Sequence, residues 1–228
     1  MDPRNEAYRL RYIPARLRAG LIAQSEMTTK PITIGLAGGV GSGKSSIARM
    51  FEKLGGQLIE ADKIGHQVLN LPPVKKKLIE WYGQEIIGPN GRVDRKKAAE
   101  MSFSCDFNVR RLNGLTHPLI RKEILRQLRQ SDKRAVIKII DAPLLMETGL
   151  DKFCDYVIFV DASMKNRIQR VVESRKWDAR EISRREGHQI PMGDKKARAD
   201  FIINNNKSLE TTKTYIKRIF QTITARQS

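Results

Sequence analysis

Gly38-Gly39-Val40-Gly41-Ser42-Gly43-Lys44-Ser45 stands between an apolar run, Ile32 to Ala37, and a segment, Ser45 to Leu54, whose Ile47, Ala48, Phe51 and Leu54 share one helical stripe. A glycine-rich loop turns its N–H groups inward, and the helix that follows adds partial positive charge at its start, so the segment reads as an anion nest. The pattern G-x-x-x-x-G-K-[ST] is met in full and lies in the strand–loop–helix setting it requires. Lys44 is then placed to reach the β- and γ-phosphates of a nucleoside triphosphate, and the Ser45 hydroxyl to ligate the Mg²⁺ that bridges them. ATP is the expected nucleotide.

Apolar runs continue to alternate with helical patterns, which predicts an α/β fold with a parallel five-stranded sheet flanked by helices. Gln57 to Glu60 reads as a short second strand leading into Ala61-Asp62. Ala135 to Ile140 and Tyr156 to Val160, closed by Asp141 and Asp161, read as buried central strands. Phe201 to Ile203 is a last short strand, Asn204 to Asn206 a turn, and Leu209 to Ile223 a closing amphipathic helix. Between Pro72 and about Gln130 the pattern is mostly helical, broken at Gly88-Pro89-Asn90-Gly91, and reads as an insertion. The stretch from Arg175 to Arg198 is dense in charge and is expected to project over the site.

Asp62 follows the strand after the loop helix, on the carboxyl edge where open α/β sheets bind ligands. A carboxylate there can accept the proton of an attacking hydroxyl or help hold Mg²⁺, or it can serve as a helix N-cap. Asp141 ends a strand of the Walker-B type and is a candidate for a water-mediated magnesium group. No Asn-Lys-x-Asp base-reading motif is present, which argues against a GTPase.

Taken together these residues resemble the dephospho-CoA kinase family, P-loop kinases of the nucleotide-monophosphate-kinase type. The resemblance runs from Ile32 to about Phe220 and rests on Gly35 to Ser46, Glu60-Ala61-Asp62, Gly91-Arg92-Val93-Asp94-Arg95, His117-Pro118-Leu119-Ile120, Pro143-Leu144-Leu145-Met146-Glu147 and Ala199 to Asn204. It implies transfer of the ATP γ-phosphoryl group to the ribose 3′-hydroxyl of dephospho-CoA. On it, Asp62, Lys44 and Arg175 are the catalytic candidates. Gly39, Val40, Gly41, Ser42, Gly43, Lys44, Ser45, Ser46 and Asn204 would bind the nucleotide, with Ser45 on the metal. Asp62, Arg95, His117, Leu144 and Leu145 would face the substrate. His117 is alternatively a structural histidine holding a turn before Pro118, and Leu144 and Leu145 are alternatively packing residues.

The family resemblance also organises the chain. Residues 31–71, 131–174 and 197–228 would form the nucleotide-binding core, 72–130 the substrate-binding insertion and 175–196 a lid. Three positions depart from the family pattern: Glu60 replaces an aspartate, Ala37 replaces a threonine, and Arg170 and Arg175 are spaced one residue wider, leaving open which of them enters the site.

Charge enters the argument last. The 228 residues carry 43 Lys+Arg against 25 Asp+Glu, a formal net charge of +18. That favours a polyanionic partner, and the competing readings are another small-molecule P-loop kinase and a nucleic-acid-associated ATP-binding protein. Aromatic residues are only 6% and the basic residues are interspersed with acids, so nucleic acid is the weaker expectation and a phosphorylated small molecule the stronger. A monomer or weak homo-oligomer is expected. Cys105 and Cys154 lack metal-ligand spacing, and no apolar run approaches membrane-spanning length, which fits a cytoplasmic enzyme. Residues 1–30, rich in arginine, read as an extension, with Met27 a candidate start.

Overall fold

The computed structural model describes residues 30–102, 105–130, 135–187 and 189–225. The extension through residue 29, with Met27, lies outside them. The chain falls into two compact units, one drawn from Met1–Leu58 and Lys133–Ser228, the other from Ile59–Asp132.

The first unit is built on strands β1 (Ile32–Ala37), β3 (Ile137–Asp141), β4 (Tyr156–Asp161) and β5 (Phe201–Asn204), with β2 (Gln57–Glu60) beginning in it. The strand order is β2-β3-β1-β4-β5. β1 pairs in parallel with β3 and β4, and β4 with β5, so the two continuous apolar runs are the neighbours of β1. β3 is buried along its whole length and β4 along all but its last residue, as parallel strands covered on both faces require.

Helix α1 (Lys44–Lys53) buries Ile47, Ala48 and Phe51, the stripe read from the sequence, against a core shared by Ile34, Leu36, Ile137, Ile139 and Ile158. Helix α9 (Leu209–Thr224) adds Ile216, Ile219 and Ile223 to the same core. Helix α6 (Met164–Arg175) starts at Ser163, whose hydroxyl accepts the Asn166 N–H at 3.3 Å. Short helices α7 (Ala179–Glu186) and α8 (Met192–Ala197) fill the charge-dense segment.

The second unit is helical: α2 (Ala61–Leu69), α3 (Pro72–Tyr82), α4 (Arg95–Ser102) and α5 (Asp106–Arg129). Helix α2, grouped with the core by sequence, packs along α5 instead. Pro118 lies inside α5. It has no N–H to give the carbonyl of Gly114 four residues earlier, and the helix nonetheless runs on to Arg129.

Candidate active site

The loop from Gly38 to Gly43 owes its shape to backbone angles that side chains resist. Gly43, the residue before α1, has φ +93°, and a Cβ there would meet Asn205 Nδ2 at 2.5 Å. Gly38 has φ +142° and would drive a Cβ to 2.6 Å from the Val160 carbonyl oxygen. The loop is also braced from behind. The Ser42 carbonyl accepts from Asn205 Nδ2 at 2.8 Å and Arg170 Nη1 at 3.2 Å, and Arg170 Nη2 reaches the Asn205 carbonyl at 2.7 Å.

Lys44 folds over this loop, donating from Nζ to the carbonyls of Gly38 at 2.9 Å and Gly39 at 3.0 Å. Burial pulls its ammonium down to about 8; Asp141 and Glu186 oppose that shift, and Lys195 and Arg175 reinforce it. Four charged groups therefore share the field of one lysine. Arg175, the last residue of α6, lies with its guanidinium 4.8 Å from the Trp177 ring centre, and Arg185 sits 4.0 Å from that ring. Arg170 is engaged with the back of the loop, whereas Arg175 belongs to the group around Lys44.

The charge-dense segment is tied to the sheet's loops by ion pairs. Lys195, 2% exposed, meets Glu147 Oε1 at 2.6 Å, and the same oxygen accepts the Ile190 N–H at 3.0 Å. Lys196 pairs with Asp161 at 2.6 Å. Arg167 pairs with Glu186, whose Oε1 also accepts the Val40 N–H at 2.7 Å.

Ser45 and Ser46 are exposed in the first turn of α1, and Asp141 ends β3 in register with Leu36 of β1. A serine hydroxyl at a helix start and a strand-end carboxylate are hard oxygen donors of the kind Mg²⁺ takes alongside phosphate oxygens and waters. Among the described residues no three His, Cys, Asp or Glu side chains cluster to hold a metal by themselves. The donor set fits a cation shared with phosphates.

In the helical unit Asp62 is the second residue of α2 and exposed. It does not cap that helix: the cap position is Glu60, which makes no side-chain cap bond and pairs with Lys63. Four residues on, His66 feels both Asp62 and Arg95. Burial and the Arg95 charge lower its pKa, and Asp62 works against them. Asp62, His66 and Arg95 thus form one electrostatic group. His117 lies half-buried within α5 rather than in a turn, and burial lowers its pKa, favouring the neutral ring. A groove of about 700 Å³ opens between α2 and α5, floored by Ile64, Val68 and Leu119 and edged by Lys122, Arg129 and the Arg126–Glu123 ion pair.

Leu145 is buried against β1, so close that a Cβ on Gly35 would meet its Cδ2 at 2.7 Å. Leu144 is half-buried in the turn after β3. Asn204 uses its Oδ1 to accept from Asn206 N and Nδ2 at 3.0 and 2.9 Å, and its neighbour Asn205 is the residue that touches the loop. Asn205, Glu186, Lys195 and His66 were not singled out by sequence reading. Each meets its partners through folding over long separations or through a helical turn, and none carries a local motif.

A phosphate loop at a strand end with a lysine over it, on a parallel sheet, defines the class of P-loop nucleotide-binding proteins. The model of the dephospho-CoA kinase family matches residues 32–211. The dephospho-CoA kinase of Corynebacterium glutamicum is 35% identical over 84% of this chain and 100% of its own, and that of Idiomarina loihiensis 35% identical over 82% and 93%. Among solved structures, the dephospho-CoA kinase from Campylobacter jejuni superposes with a TM-score of 0.64 at 26% identity, covering 86% of this chain and 98% of its own. The chain belongs to the dephospho-CoA kinase family.

Proposed function

We propose that the chain transfers the γ-phosphoryl group of ATP to the ribose 3′-hydroxyl of dephospho-CoA, giving coenzyme A and ADP, in the cytoplasm. The observation that carries this reading is the match to the dephospho-CoA kinase family over residues 32–211, on a chain whose phosphate loop is intact. Lys44 would neutralise charge on the β- and γ-phosphates while loop N–H groups orient them, since phosphoryl transfer depends chiefly on positioning and charge stabilisation. Mg²⁺, when bound by the Ser45 hydroxyl and the phosphates, would screen the triphosphate charge and align it. Arg175 would add a cation on the side of the charge-dense segment, and Asn204, at the end of β5, would lie toward the base.

On the acceptor side Asp62 would take the proton from the 3′-hydroxyl as it attacks. Arg95, held in the same electrostatic group, would meet substrate phosphate, and neutral His117 would offer a hydrogen bond without adding charge. The groove along α2 and α5, apolar below and cationic at its edge, suits an acceptor with a long thioalkyl amide arm and a pyrophosphate. Leu144, half-buried after β3, would face the acceptor, while Leu145 packs on Gly35.

The test is acceptor dependence. Purified protein with ATP and Mg²⁺ should release ADP and form a product one phosphate heavier only when dephospho-CoA is present. ADP release stimulated by nucleic acid and indifferent to dephospho-CoA would support the nucleic-acid-associated reading. Among the described residues no helix is long and apolar enough to cross a membrane.

A further inference from the structure

Glu186 is an acidic residue that touches the phosphate loop directly. It is the last residue of α7, and its Oε1 accepts the Val40 N–H at 2.7 Å while pairing with Arg167. The pair is largely withdrawn from solvent, the Arg167 and Glu186 side chains being 8% and 15% exposed. Arg167 Nη1 also contacts the Val40 carbonyl at 3.4 Å, so one carboxylate and one guanidinium clasp a single loop residue. The carboxylate lies within the field of Lys44, whose ammonium it helps to keep charged.

A carboxylate on a loop N–H beside the loop lysine makes the same two kinds of interaction that a phosphate oxygen would make there. Two such anions cannot share the nest without repulsion. We propose that Glu186 is an internal competitor for the phosphate loop, a residue that sets nucleotide affinity because its carboxylate must leave Val40 before the ATP terminal phosphate settles. Glu186 sits on the charge-dense segment rather than on the sheet, so its release moves the end of α7 and leaves the loop in place. The inference rests on the reading that this loop holds ATP phosphates. If the carboxylate occupies the nest in most free molecules, the apparent affinity for ATP is lowered in proportion to the fraction left open.

The experiment is ATP titration by calorimetry into the full chain and its Glu186→Gln variant. The amide keeps the size of the side chain and an oxygen for Val40 but drops the charge. Expected is ATP binding about five- to tenfold tighter in the variant, the gain of an open fraction rising from about a tenth toward unity. A second measurement needs no substitution: hydrogen exchange of residues 179–187 in the wild-type chain should quicken when ATP saturates it. ATP affinity that is unchanged or weaker in Glu186→Gln, or exchange that ATP leaves unchanged or slows, would show that the carboxylate braces the loop, and would overturn the proposal while leaving the nucleotide reading standing. A wild-type chain that binds no ATP would overturn the nucleotide reading and the proposal together.

Discussion

The phosphate loop and the helical unit handle charge in opposite ways. The loop is a backbone device: its shape comes from glycine angles, its carbonyls are held by Lys44, Arg170 and Asn205, and its ligand-facing groups are N–H dipoles. The helical unit is a side-chain device, in which Asp62, His66 and Arg95 act on one another across helix surfaces and a groove offers an apolar floor with a basic edge. A backbone device can be read from a short motif and fails when its angles are disturbed. A side-chain device fails one function at a time.

That contrast is broken or sharpened by substitution on each side. The largest effect is expected at Asp62: Asp62→Asn should lower turnover by about 10²–10⁴-fold, the usual worth of a positioned general base, with ATP affinity within about twofold of wild type. Rapid-quench turnover and ATP titration check both halves, and a rate near wild type would remove the base assignment. Lys44→Ala should cost about 10²–10³-fold in turnover and also weaken ATP binding, because it removes a charge that serves ground and transition states alike. Equal ATP affinity in that variant would place the lysine outside the phosphate contact.

A smaller effect comes from pH. Lys44 titrates near 8 in the folded chain against 10.5 for a free lysine. Between those values the unfolded chain holds a proton that the folded one has released, so this group makes the fold more stable as pH rises through that window. Phosphate binding needs the charged form, so ATP affinity should fall about tenfold between pH 7 and 9, and this dependence should be lost in Lys44→Ala. A flat profile in the wild type would contradict the depressed lysine. The smallest expected effect is at Asn205: Asn205→Ala removes the Nδ2 contact to Ser42 and should cost about 1 kcal/mol, a fall of roughly 2–4 °C in Tm.

The same contrast governs what sequence could show. The loop, the buried central strands and the stripe of α1 were legible because they are local patterns with a short period. Asn205 on Ser42 joins residues 163 apart in the chain, and Glu186 on Val40 joins residues 146 apart, so neither partner announces the other. The alternative reading of His117, a turn before Pro118, follows from proline's habit of ending helices, yet α5 runs through Pro118 to Arg129. For Asp62 a cap is the alternative to a catalytic carboxylate, yet the helix begins two residues earlier than such a cap would set it and leaves the carboxylate exposed in the first turn.

The central claim concerns where the phosphate goes, and locating it on the product tests that claim most directly. After reaction of the wild-type chain with ATP, Mg²⁺ and dephospho-CoA, phosphorus–proton correlation spectra of the isolated product should couple the new phosphorus to the ribose 3′ proton, with none at 2′. A phosphate on another position, or ATP consumed with no phosphorylated acceptor, would contradict the account.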